Sequence, residues 1–146
     1  VLSTMVLSAQ TVVDPRFVEF NPSPDHNAQA PDGTPLLQNY TLFIFPQGSG
    51  AVFDTINIGK PTPVNGLITV DFLPLMHVTP APGVVYEARV TSDGPGGSNA
   101  SALSNTFSWA PPCSPTTSPA GQTFLAAGGT GNVSVSAGAG CAWSTR

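Results

Sequence analysis

His26 and His77 are the only imidazoles in the chain, so a general base of that kind must be one of them. His26 stands in Pro24-Asp25-His26-Asn27, where adjacent polar residues favour a turn closed by local side-chain hydrogen bonds over a ligand or base. His77 follows Leu73-Pro74-Leu75-Met76, a setting that predicts a partly buried packing role. Neither is accompanied by a Gly-x-Ser-x-Gly elbow or a His-Glu-x-x-His pair. Gly59-Lys60 is followed by Pro61 where a phosphate loop needs a Ser or Thr opening a helix. Gly128-Gly129-Thr130-Gly131 reads as a hairpin turn, since no helix N-terminus follows to hold an anion. Asp25, Asn27 and Asp32 offer oxygens but not the ordered acidic series of a calcium loop. The expectation is a non-enzymatic protein with no catalytic residue, cofactor or metal.

The remaining reactive side chains are Cys113 and Cys141, whose chemistry is crosslinking. The segment between them is rich in Gly, Ser and Thr, with Phe124, Leu125, Val133 and Val135 as its sizeable apolar anchors. A disulfide is expected there, contributing about 3–4 kcal/mol in the chain-entropy view. The alternative is two buried thiols in a cytosolic protein, which suits a hydroxyl-rich, lysine-poor surface less well. Two thiols so spaced without a nearby His pair do not make a zinc site. Three sequons, at Asn39, Asn99 and Asn132, are candidate glycosylation sites, and of these Asn99 is expected in an exposed turn. Tyr40 and Trp143 could stack on sugar rings, although packing is the expected use of each.

Composition bounds the partners. Only 8% of residues are charged, four basic against eight acidic, and Lys60 is the sole lysine, so clustered cations for nucleic acid are missing. With 40% apolar residues in alternating runs, the chain has too much hydrophobic material to remain a solvated coil despite 15 Gly and 16 Pro. No apolar stretch is long enough to span a bilayer as a helix.

Period-two alternation recurs between Gly and Pro punctuation, which predicts an all-β chain. The expected strands are Val12–Phe20, Leu37–Phe45, Val52–Ile58, Leu67–Leu73, Val84–Thr91 and Leu103–Trp109. Val84, Tyr86, Ala88 and Val90 share one face and are assigned to the core, with the Tyr86 ring against the opposite sheet. Tyr40, Leu42 and Ile44 alternate with Thr41, Phe43 and Phe45, so that strand is apolar on both faces and belongs in a sheet interior. The boundaries read as 1–11 apolar N-terminal strand, 12–109 sandwich, 110–112 linker at Ala110-Pro111-Pro112, and 113–146 a partial β segment.

The first segment, Val1-Leu2-Ser3-Thr4-Met5-Val6-Leu7-Ser8-Ala9-Gln10, resembles the end of a secretory signal. It also reads as a donor strand: Val1, Leu2, Met5, Val6 and Leu7, continued by Val12 and Val13, make an uncharged β-prone stretch up to Asp14.

Tyr86-Glu-Ala-Arg-Val90, followed by Gly94-Pro-Gly-Gly and Ser101-Ala-Leu-Ser-Asn, resembles a fibronectin type III domain over residues 12–109. That family carries a core tyrosine in its penultimate strand before a Gly/Ser-rich hairpin. It usually has an early-strand tryptophan; here none precedes Trp109, and Tyr40 or Phe43 would fill the space. Ser114-Pro115, Gly128-Gly-Thr-Gly131 and Cys141-Ala-Trp143 resemble the first part of a BACON domain, a bacterial extracellular module for which carbohydrate or mucin binding has been proposed. The resemblance implies further strands after Cys-Ala-Trp, where this sequence stops.

Together these readings predict a fibronectin III/immunoglobulin-like β-sandwich with an additional C-terminal β-hairpin, located outside the cell or at its surface. The expected role is a structural subunit of a fibre or sheath, a homo-polymer joined by β-strand addition. The alternative is an accessory carbohydrate-binding or spacer module of a larger secreted enzyme or adhesin.

Overall fold

Pro15 decides the first element. Its ring fixes φ and removes a backbone donor, and Asp14 before it sits at φ 53°. The single strand expected over 12–20 is therefore two, β1 (Val12–Val13) and β2 (Phe17–Phe20), which join different sheets. The computed structural model of the chain describes residues 11–121, 123, 126–138 and 141.

The other strands are β3 (Asn39–Pro46), β4 (Asp54–Gly59), β5 (Ile68–Asp71), β6 (Val85–Gly94), β7 (Gly97–Ala100), β8 (Phe107–Ser108), β9 (Thr116–Ser118) and β10 (Ser134–Ser136). The protein is all-β. The larger sheet runs β1-β8-β6-β3-β4, with β7 also pairing β6, and β1 lies parallel to β8. The smaller sheet is β2 against β5. Tyr40, Leu42 and Ile44 of β3, Ile56 of β4 and Tyr86 and Ala88 of β6 fill the core from one side. Ile68 of β5 meets them from the other, with Val18, Phe20 and Val70 packed alongside. β3 lies between β4 and β6, as its two apolar faces require. On its outer face Phe45 is covered by the Arg89 guanidinium 4.9 Å from the ring centroid.

Several boundaries depart from the sequence reading, each for a local reason. Pro74 turns the end of the fourth expected strand into a 3-10 turn, Leu73–Leu75, so β5 stops at Asp71. Val84 is 37% exposed rather than in the core: Gly83 at φ 75° closes a turn in which Val84 N donates to Ala81 O, before β6 begins. β6 runs past its expected end at Thr91 to Gly94, and the reversal is the two residues Pro95-Gly96 between Gly94 and Gly97. A side chain at Gly94 would collide with the Leu36 carbonyl, so only glycine fits there. Asn65-Gly66, at φ 52° and 83°, makes another tight reversal between Val64 and Leu67. Of the expected strand over 103–109, only Phe107 and Ser108 are regular; upstream, Ser101 N and Ser104 N donate singly to Val90 O and Ala88 O.

The chain divides into two compact units, Val1–Ala110 and Pro111–Arg146. In the second, β9 and β10 pair antiparallel with Val135 opposite Thr117. Gly128, at φ 84°, lies in the long connection between them, so the glycine cluster is part of a broad loop and not a tight hairpin turn. Cys113 and Cys141 are joined by a disulfide with Cα atoms 5.5 Å apart. Phe124, Leu125 and Trp143 lie outside the described residues.

Candidate functional site

The buried titratable side chains among the described residues, His26 and Asp54, each anchor a separate polar centre that holds the sandwich. His26 is buried, and its Nδ1 lies 3.0 Å from the Tyr40 hydroxyl with the two rings stacked at 5.8 Å. The hydroxyl accepts from Ser23 N–H at 2.9 Å and keeps its own proton to donate, so donation to Nδ1 satisfies all three groups. Burial, with Lys60 nearby adding repulsion, pushes the His26 pKa down and favours this neutral ring. Tyr40 also meets Phe20 edge-on at 5.1 Å, and its burial leaves no face for a sugar.

Asp54 forms the second centre; in the sequence it is the lone charged residue of its strand and carries no motif. Its carboxylate is buried and accepts from His77 N at 2.9 Å, Thr55 N at 2.8 Å and Val78 N at 3.4 Å, with His77 Nδ1 at 3.1 Å. Burial works to raise its pKa, but these bonds, led by His77, outweigh it and hold the carboxyl below its usual range. The His77 side chain is 67% exposed, against the expected packing role; its backbone and ring serve the carboxylate instead. Among the described residues no three His, Cys, Asp or Glu side chains gather as a metal site. Asp32 takes the Thr34 N–H in a local turn.

Tyr86 is 2% exposed, as its alternation requires. Its ring is not simply pressed on the opposite sheet. It sits in an aromatic cluster with Phe53 at 4.9 Å, Trp109 at 5.3 Å and Phe107 at 6.2 Å, and its hydroxyl accepts from Ala81 N. Val90 is buried with it.

What the sandwich leaves open lies beside β2. Phe72 N donates to Arg16 O, so the ladder with β5 is carried at Arg16, Val18 and Phe20. The N–H and C=O of Phe17 and Glu19 then point to the far edge of β2, where no described residue pairs with them. Along that edge runs a groove of about 510 Å³ between β2 and residues 99–104, with Phe20, Tyr40, Leu42 and Ala88 among its lining. A smaller hollow of about 140 Å³ continues it toward Val12, Phe17 and Phe107. Val18, Glu19, Leu42, Ala88 and Ser104 line both. Ala88 alternates with Tyr86 and Val90 on the inner face of β6 and is among the residues lining the groove.

Of the expected assembly residues, Val1, Leu2, Met5, Val6 and Leu7 lie outside the described residues. Val12 and Val13 do not belong to a strand donated to another chain: they pair with Phe107 and Ser108 of their own chain, and Val12 N donates to Thr106 O at 3.0 Å. Asn99 is exposed on β7 rather than in a turn, and Asn132 is exposed in the second unit. Asn39 is half-buried and donates its amide to Thr41 Oγ1. No helix among the described residues is long and apolar enough to cross a membrane.

No family model matches the chain, and no curated protein or solved structure is significantly similar to it.

Proposed function

We propose that the protein is a non-enzymatic extracellular structural subunit that assembles into a fibre or sheath by β-strand addition. The observation that carries this reading is the two-stranded small sheet, whose strand β2 keeps the main-chain groups of Phe17 and Glu19 unpaired among the described residues, in a chain that also carries an uncharged β-prone stretch at Val1–Leu7. A strand given by one chain and received at a different place on the next makes a heterologous contact, which propagates as a filament unless its rotation closes a ring.

The fold supports a fibronectin III/immunoglobulin-like assignment for residues 12–109: β2 and β5 face a sheet in which β3 and β6 are central and β1 runs parallel to β8. The β9–β10 unit fits a partial BACON-like segment. The disulfide and the scarcity of lysine favour an oxidising, extracellular setting.

Sedimentation velocity of the full chain tests the proposal. The native chain is expected to run as a polymer and Met5→Asp/Leu7→Asp as a monomer with unchanged far-ultraviolet circular dichroism. A native chain that stays monomeric at all concentrations overturns it and favours the spacer or carbohydrate-binding module.

A further inference from the structure

The chain that leads into β1 arrives along the wall of the groove. β1 runs parallel to β8 with Val12 beside Phe107, and Thr11 stands beside Thr106, where Val12 N bonds Thr106 O and the two threonine hydroxyls lie 3.0 Å apart. Continued backward in this register, Gln10 falls beside Asn105 and Ala9 beside Ser104, and Ser104 lines both parts of the groove. On the opposite wall Phe17 and Glu19 present main-chain donors and acceptors with which no described residue pairs. The outer strand β4 differs, because there Thr55 N is taken by Asp54 Oδ1 and Gly59 N by Asn57 Oδ1. We propose that residues 5–10 of the same chain close the groove, pairing with β2 as a third strand of the smaller sheet. The free chain is then self-capped and, resting on the strand-addition reading, assembly proceeds by exchange of this segment between chains.

Direction and residue pattern agree with this occupant. β1 shares its direction with β8 and β3, whereas β2 runs the opposite way, its Phe20 meeting Tyr40 at the start of β3 and its Phe17 lying with Ile44 toward the end. The chain traced back from Thr11 therefore passes the smaller hollow first and then enters the larger one, antiparallel to β2. Ala9, Leu7 and Met5 fall on the face of Thr11, and Gln10, Ser8 and Val6 alternate with them on the other. With the first set turned to Leu42, Ala88 and Val90, the small Ala9 passes beside Ser104 while Leu7 and Met5 reach the wider part. Gln10 and Ser8 then face solvent, the alternation of a strand with one wet face. An extended stretch of about six residues spans roughly 20 Å, enough to pass the edge from Phe17 to Asn21.

Hydrogen exchange of the Glu19 amide tests the cap in the full chain, read by nuclear magnetic resonance at a dilution where sedimentation shows a monomer. The amide is expected to be protected there. Leu7→Asp should lower that protection roughly ten- to a hundredfold, the worth of burying one leucine, while Ser8→Asp on the outward face leaves it unchanged. A diazirine amino acid in place of Leu7, in a mixture of isotopically heavy and light chains, should crosslink to residues 17–21 or 99–104 within one chain in the monomer, and between heavy and light chains once polymer has formed. A Glu19 amide that exchanges as an open edge in the monomer, or that Leu7→Asp and Ser8→Asp affect equally, overturns the cap. Protection and crosslinks found only in polymer, and only between chains, overturn self-capping and leave strand addition standing. Polymer whose crosslinks stay within single chains overturns the exchange. A chain capped within itself that stays monomeric at all concentrations upholds the cap and overturns the strand-addition reading instead.

Discussion

The two compact units solve the same problem by different means. The first buries Tyr40, Leu42, Ile44, Ile56, Ile68 and Tyr86 between two sheets, so its register is held by side chains that have only one place to go. The second pairs two three-residue strands whose side chains are almost all exposed, with Val135 only half-buried, and a covalent bond closes it. Where apolar packing is plentiful, a single large residue carries the stability; where it is scarce, the crosslink does.

The largest expected effect breaks the first unit. Tyr86→Ala removes a ring that touches Phe53, Phe107 and Trp109 and should cost about 3–5 kcal/mol in urea unfolding. A loss below about 1 kcal/mol would mean the cluster is not a packing centre. Tyr86→Phe, which keeps the ring and loses the bond from Ala81 N, should cost about 1 kcal/mol.

Reducing Cys113–Cys141 is the matching perturbation of the second unit, with an expected loss of about 3–4 kcal/mol confined to it. Hydrogen exchange should rise at Thr116–Ser118 and Ser134–Ser136 while β3 and β6 keep their protection. Equal loosening of both units would show that the two are coupled rather than separately stabilised.

Asp54→Asn sharpens the contrast within the first unit, since it weakens a buried acceptor serving three backbone N–H groups; about 1–3 kcal/mol is expected. The folded carboxyl has a depressed pKa, so its contribution is fully present above the unfolded value near 4 and is lost as pH falls through the folded value. Acid unfolding should therefore steepen below about pH 4 in the native chain and flatten in the variant.

The smallest effect belongs to His26. Its pKa is lowered in the fold, so the unfolded chain binds the proton more readily and stability declines as pH drops below about 6.5. Stability should fall from about pH 6.5 toward pH 5 in the native chain, and this dependence should vanish in His26→Gln. A native chain with flat stability over that range would mean that the Tyr40–His26 pair tolerates the charged ring.

Much of this was legible in alternation alone. Tyr40, Leu42 and Ile44, and Tyr86, Ala88 and Val90, fall on the core side because side chains in a strand alternate and only one register buries them together. Val84 failed the same rule because alternation has no meaning outside the strand, and Gly83 turns the chain just before it. Asn65-Gly66 is a reversal readable from its residue types, lying just before the strand expected from Leu67. β7 was hidden for a different reason: Gly97, Ser98, Asn99 and Ala100 carry no apolar pattern, and the strand exists because β6 offers an edge. Asp54 and His77, 23 residues apart, gave no local sign of meeting.

By itself the sequence determined the all-β class, the alternating core of β3 and β6 and the pairing of its two cysteines, because each follows from local periodicity or from a choice with a single partner. Tertiary structure alone decided that Asp14 and Pro15 send β1 and β2 to different sheets, that a lone carboxylate collects donors from a distant loop, and that a groove lined by Ala88 runs beside a strand edge with which no described residue pairs. Those features depend on which segments lie side by side, and that is fixed by packing two sheets around one core, an outcome no single stretch of the chain encodes.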